Sequence, residues 1–171
     1  MGMAEMALER QRSRRLAELY AEHAPRAGRF AYLLVGDQDL AEDIVQEAFV
    51  RVAGRLWTLR KPEAFEAYLR QTVLNLTRGQ MRRMRVERAY MVHQRNRVPD
   101  EVRLPDVPGR DELFRSLSRL PYRQRAAIVL RYYEDRSEQQ TADILGCPVG
   151  TVKSLVSRGL GSLREQMRGE Q

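Results

Sequence analysis

Tyr68, Gln71, Asn75, Arg78 and Arg82 recur at spacings of three and four residues, which places them along one side of a helix. Their chemistry is that of a nucleic-acid contact. Side-chain amides read base edges, guanidinium groups neutralise phosphates, and an exposed aromatic ring stacks on an unpaired base. Arg83, Arg85 and Arg88 extend the positive charge beyond the stripe. The same pattern also fits a half-buried Tyr68 beside ordinary polar surface. Trp57, ahead of Pro62, reads as a core anchor in preference to a base wedge.

A second face has the opposite sign. Residues Gly36 to Val50 hold five acidic residues and no basic one, in a chain whose net charge is +7. On a helical wheel over residues 40–56, Leu40, Ile44, Val45, Ala48, Phe49, Val52 and Leu56 fill one half. Glu42, Asp43, Gln46 and Glu47 occupy the other. Acids early in a helix are favoured by its dipole, so a solvated face accounts for the pattern. On pattern alone that plainer reading is favoured, and the sharper one is a docking surface for a basic partner. DNA is excluded as that partner, because phosphate would be repelled.

The third constellation lies near the C-terminus. Ser137-Glu-Gln-Gln140 is a capping box that opens a short helix with Ala142, Ile144 and Leu145 as its apolar set. Gly146 ends it, since the left-handed conformation there is cheapest for glycine. Cys147-Pro148-Val149 makes the turn, with Cys147 read as a small turn residue and not a reactive thiol. A second helix begins near Gly150 or Thr151, with Val152, Val156, Leu160, Leu163 and Met167 toward its core. Thr151, Lys153, Ser154, Ser157 and Arg158 are then left outward, where a recognition helix meets the major groove. The spacing predicts a DNA-binding helix-turn-helix over about residues 138–158.

The elements that must position these groups are all helical. A pattern over residues 12–35 reads as one or two helices, with Leu16, Leu19, Tyr20, Phe30, Leu33 and Leu34 on the apolar side. Asp39 to Glu42 resembles a capping box for the next helix, and Pro62 suits the first turn of a third reaching Arg88 or Tyr90. Between Met91 and Arg110 the periodicity stops among Pro99, Pro105, Pro108 and Gly109. Helices then resume over 111–120, after Pro121, and around Gly146. The expected fold class is all-α: a tail at 1–11, a helical domain at 12–90, an extended linker at 91–110 and a second small helical domain at 111–168.

Composition narrows the function. The chain has 171 residues, 43% hydrophobic and 31% charged, which suits a folded protein and not a disordered one. No apolar run approaches the roughly 18 residues of a membrane span, and no secretory signal is evident, so a cytoplasmic location is expected. One cysteine excludes an internal disulfide, and two histidines leave little to hold zinc. A pI near 10.1 favours an anionic partner such as nucleic acid. Of the 30 basic residues only Lys61 and Lys153 are lysine, a skew that codon bias can produce. Neither a metal cluster, a phosphate-cradling glycine loop nor a nucleophile–base pair is evident. Hence no enzyme activity, catalytic residue, metal or cofactor is expected.

Taken together, these pieces resemble bacterial RNA polymerase sigma factors of the extracytoplasmic-function class, within the sigma-70 family, and most of all its short actinobacterial SigE group. The segments that carry the resemblance are Ala31-Tyr-Leu-Leu-Val-Gly-Asp37, Ala41-Glu-Asp-Ile-Val-Gln-Glu-Ala-Phe-Val50 and Ala67-Tyr-Leu-Arg-Gln-Thr-Val-Leu-Asn-Leu76. Leu120-Pro-Tyr-Arg-Gln-Arg-Ala126 and Val149-Gly-Thr-Val-Lys-Ser154 add the second domain. The resemblance covers nearly the whole chain in order. It implies a sigma-2 domain, a linker and a sigma-4 domain.

The resemblance also implies roles. Glu42, Asp43, Gln46 and Glu47 would dock on the clamp helices of the polymerase beta-prime subunit, with the beta flap a further contact. Tyr68, Gln71, Asn75, Arg78 and Arg82 would open and read the minus-ten region. Thr151, Lys153, Ser154, Ser157 and Arg158 would read the minus-thirty-five element. The acidic linker would lie in the polymerase's RNA path. Core RNA polymerase and promoter DNA are the implied partners, an anti-sigma factor is a further one, and a nucleoid association follows in the holoenzyme. Leu155 departs from the arginine that many relatives carry. Gly159 and Gly161 fall inside the recognition helix at a cost of about 0.5–1 kcal/mol each, so fraying is expected there. The alternative function is an autonomous helix-turn-helix regulator whose first domain senses a ligand or dimerises. It leaves the acidic face and the nucleotide-reading stripe unexplained. A helical RNA-processing enzyme lacks catalytic residues.

Overall fold

The structure is a computed structural model that describes residues 2–55, 62–95 and 112–169. Among the described residues every regular element is helical. Helix α1 (Met3–Val35) is a single element. It takes in residues 3–11, expected as a tail, and it settles the 12–35 pattern as one helix. Pro25 lies inside it. Gly36 ends it at φ 76°, and its N–H donates to the Tyr32 carbonyl at 2.7 Å. This glycine is required twice over. A Cβ there would meet left-handed backbone strain and would sit 1.9 Å from Cζ of Phe114.

Helix α2 (Gln38–Ala53) starts one residue before the expected Asp39. Asp37 is its cap, and the carboxylate accepts from the Leu40 N–H at 2.8 Å. The expected Asp39–Glu42 box is therefore not formed; Glu42 instead accepts from the Gln38 side chain. Ile44, Val45, Ala48, Phe49 and Val52 are buried as the wheel predicts. Leu56 and Trp57 lie outside the described residues. Helix α3 (Pro62–Arg95) opens on Pro62 as expected, but it continues past Tyr90 into the stretch read as linker. Phe65, Leu69 and Val73 are buried, Leu76 is half-buried, and Leu74 joins them. Edge and tilted contacts of Tyr20, Phe49, Phe65 and His23, with centroids 4.8–6.1 Å apart, tie α1, α2 and α3 into one unit.

The second unit begins with α4 (Glu112–Ser118) and α5 (Tyr122–Ile128), which runs on as a π-helical turn through Val129–Tyr133. Asp135 follows at φ 52°. Helix α6 (Glu138–Leu145) carries the predicted capping box in full. Ser137 Oγ accepts from the Gln140 N–H at 3.1 Å, while Gln140 Oε1 accepts from the Ser137 N–H at 2.9 Å. Gly146 ends it at φ 60°. Helix α7 (Val149–Gly169) is continuous, against the expectation of fraying. Gly159 is buried in it, and a Cβ there would fall 2.6 Å from Cδ1 of Ile128, so the missing side chain is what lets α7 approach α5. Val152 is core as expected, whereas Met167 is 70% exposed and points away from it.

The two units do not stand apart in this structure. Their buried residues form one continuous core that runs from Ala27 and Phe30 to Leu117, Val129 and Leu130. Phe114 fills the space over Gly36 and lies 5.3 Å from the Tyr32 ring. The Arg125 guanidinium donates across the junction to the Leu34 carbonyl at 2.6 Å. Tyr122 reaches Thr77 Oγ1 and the Leu74 carbonyl.

Candidate nucleic-acid and docking surfaces

Helix α3 separates its two jobs by angle. Its apolar stripe faces α1 and α2, which leaves Gln71, Asn75, Arg78 and Arg82 exposed along the opposite side. Tyr68 stands between the two. It is half-buried against the core, and the Arg55 guanidinium carbon lies 5.3 Å from its ring centroid, within cation–π range. The ring thus joins the stripe at its edge and contributes packing as well. Arg83 and Arg85 are exposed beyond it.

Helix α2 presents the acidic face outward. Glu42, Asp43, Gln46 and Glu47 are all exposed, and Glu47 pairs with Arg51 one turn on. The periodicity reading passed over Val50, which is 75% exposed in the middle of this face. Val50 is thus an exposed apolar side chain set among the acids of this face. The signal was available, since the wheel puts Val50 between Asp43 and Gln46.

On α7 the outward set is less uniform. Lys153, Ser154, Ser157 and Arg158 are exposed, and Thr151 is half-buried. Lys153 Nζ lies 3.5 Å from Glu138 on α6, and Ser154 Oγ donates to the Gly150 carbonyl. The basic character of this helix start is partly balanced until an anion competes for Lys153.

A charged cluster at the junction of the units had no signal in the sequence. Glu134, with a side chain 1% exposed, accepts from Arg26 Nε at 3.1 Å and from Arg70 Nε. Glu66 accepts from Arg70 Nη1 at 2.9 Å and Arg136 Nη2 at 3.2 Å, with His23 Nδ1 at 3.8 Å. Burial raises the Glu66 pKa, and the hydrogen bonds and charges of Arg70 and Arg136 more than cancel that, so its carboxyl sits below 4.5. Burial pushes the Tyr122 hydroxyl up to about 12 and the Arg125 guanidinium down to about 10, so at neutral pH they are a neutral donor and a cation. Arg125 keeps its charge solvated by the Leu34, Ser118 and Leu120 carbonyls.

Both units match known families, in order along the chain. The families described as Sigma-70 region 2 and Sigma-70 region 4 match residues 19–86 and 110–163. The chain is 35% identical over 156 residues to the ECF RNA polymerase sigma factor SigE of Mycolicibacterium smegmatis, covering 88% of this chain and 60% of that protein. It is 35% identical over 139 residues to the RNA polymerase sigma-E factor of Streptomyces coelicolor, covering 81% and 78%. In structure it is similar to the sigma factor RpoE of Bartonella quintana, solved with the anti-sigma factor NepR. The TM-score is 0.68 at 27% identity, over 91% of this chain and 98% of that one. The chain belongs to the sigma-70 family, in its extracytoplasmic-function class.

Proposed function

We propose that this protein is an alternative sigma factor, a dissociable subunit that binds core RNA polymerase and directs it to a set of promoters. Members of the family are transcription initiation factors and not catalysts, and the work of this chain is recognition. The observation that carries the reading is one helical unit with two exposed faces of opposite sign, followed by a capped helix-turn-helix. An acidic α2 face suits a basic protein surface, and a basic, amide-bearing α3 face suits DNA. In this reading Glu42, Asp43, Gln46 and Glu47 dock on the beta-prime clamp helices. Tyr68, Gln71, Asn75, Arg78 and Arg82 bind and help melt the minus-ten element. Thr151, Lys153, Ser154, Ser157 and Arg158 read the minus-thirty-five element. The relative solved with NepR supports an anti-sigma factor as a further partner. The protein then works where polymerase does, in the cytoplasm and on the nucleoid when part of the holoenzyme.

The test is a double charge reversal, Asp43→Arg with Glu47→Arg. Single rim charges contribute little, so both are reversed. The variant is expected to keep its helical circular dichroism and to lose competition for core polymerase. Undiminished competition would reject the assignment of this face. Nanomolar, sequence-specific binding of promoter duplex by the free protein would favour an autonomous regulator instead.

A further inference from the structure

Helix α1 is longer than its packing requires. Among the described residues Leu16 is the first on α1 to pack against the core, so residues 3–15 project past it as a helical arm of about 20 Å, at roughly 1.5 Å per residue. The base of this arm is dense in positive charge. Arg10, Arg12, Arg14 and Arg15 fall within residues 10–15, which hold no acid, and all four are exposed. The surfaces assigned above use none of them. Arg14 donates to Glu18 at 3.2 Å, so the first acid after the run is already engaged.

The arm extends from the end of the first unit at which α3 begins. His23 lies 5.2 Å from the Phe65 ring, and Ala27 and Phe30 line the same small cavity as Leu69 and Val73, so α1 and α3 run side by side in one direction. Arg12, Arg15, Leu19 and His23 follow at steps of three and four residues, which puts both arginines on the flank of α1 that faces α3. Along the axes, Arg15 lies about 12 Å before His23, and Tyr68 about 5 Å after Phe65. Arg15 and Arg12 are thus about 17 and 21 Å from Tyr68 by the same count. Arg55 stands between them. Its guanidinium carbon is 5.3 Å from the Tyr68 ring, and the contact of Phe49 with Tyr20 at 4.8 Å sets the end of α2 level with the base of the arm.

We propose that Arg12 and Arg15, flanked by Arg10 and Arg14, bind the phosphates of a single DNA strand that runs on from the α3 stripe past Tyr68 and Arg55. An aromatic at the edge of the stripe suits an unpaired base, so the strand leaving it is single. At roughly 3.4 Å per nucleotide of a stacked strand, about 17–21 Å is five or six nucleotides. The guanidinium groups of the arm position this strand through its charge, while the amides on α3 read bases, so the arm accepts any sequence. That the strand is promoter DNA rests on the sigma-factor reading; the charge and placement of the arm do not.

The experiment compares full-length wild type with the double variant Arg12→Gln, Arg15→Gln, each bound to core polymerase, on two forked promoter probes. One probe has a single strand covering the minus-ten element alone, and the other continues that strand by about six nucleotides. Wild type is expected to bind the longer probe more tightly, and this gain should shrink about sevenfold between roughly 50 and 200 mM salt, as two single-strand phosphate contacts require. The glutamine variant is expected to match wild type on the short probe, in helicity and in polymerase affinity, and to show no gain on the long one. Arg12→Lys with Arg15→Lys keeps the charge and should keep the gain. A glutamine variant that retains the full gain, or that weakens both probes equally, would overturn the proposal. Loss of polymerase affinity with the gain intact would also overturn it, and would assign the arm to an acidic protein surface. If wild type forms no complex with polymerase, the sigma-factor reading fails, and the free chains on single-stranded oligonucleotides of about six and twelve nucleotides decide the arm by the same criteria.

Discussion

Asn75 presents a side-chain amide on the exposed face of α3, one turn from both Gln71 and Arg78. Its neighbours Leu74 and Leu76 face inward and Thr77 is fully buried, so the backbone carrying the amide is held by the core. On the proposed reading this amide would contact a base from a backbone that is already ordered before binding. Asn75→Ala is expected to weaken promoter melting by ~1–3 kcal/mol, read as reduced permanganate reactivity, while polymerase binding is retained. Equal loss of both would show that the change acts through folding. Normal melting on every promoter tested would return this stripe to ordinary surface. Tyr68 is a less clean target, since its ring also packs on the core.

At the scale of elements, α7 separates two glycines that sequence alone treated alike. Both carry the same helix-propensity cost, yet only Gly159 meets a neighbour, Ile128 of α5; a Cβ on Gly161 would meet nothing within 4 Å. Gly161→Ala is therefore expected to raise the melting temperature by about 1–4 °C, the equivalent of roughly 0.5–1 kcal/mol. Gly159→Val should lower it by forcing α5 and α7 apart. A calorimetric scan in which both changes act in the same direction would refute the distinction. Signals that close on themselves within a few residues were legible: the Ser137–Gln140 box, the Gly146 stop, Pro62 at the head of α3. The acidic and basic faces were legible too, because a helical wheel needs only a period. Residues 3–11 were not, since their apolar side chains such as Met6 and Leu8 stay exposed and no buried stripe marks the helix there. The Gly159 contact was not, because it depends on which helix lies opposite. Least legible was the Glu134 cluster, whose partners are brought near only by the docking of the two units.

The whole molecule is then held by charge as well as by its core, and this makes its cohesion sensitive to acid. Glu66 lies at the hinge of the network. Arg70 from its own helix and Arg136 from the second unit donate to it, His23 of α1 faces its other oxygen, and Glu134 and Arg26 close the far side through Arg70. Its carboxyl is depressed below 4.5 in the folded protein and has the ordinary value when unfolded. Between those two values the unfolded chain takes up a proton that the folded one refuses. The contribution of Glu66 is therefore complete above about pH 4.5 and is lost as pH falls through the depressed folded value. Urea midpoints measured from pH 7 down to pH 3 should hold steady from this group until about 4.5 and then fall. Glu66→Gln, which keeps the shape but cannot ionise, should start from a lower midpoint at pH 7 and show a shallower acid limb. A third of the Glu66 side chain is exposed, so solvent screening keeps the difference modest. If wild type and Glu66→Gln lose stability with the same slope below pH 4.5, the arginines do not hold this carboxylate in its charged form. The cohesion of the two units would then rest on the apolar contacts of Phe114, Leu117 and Val129 and on the hydrogen bonds of Arg125 and Tyr122 across the junction.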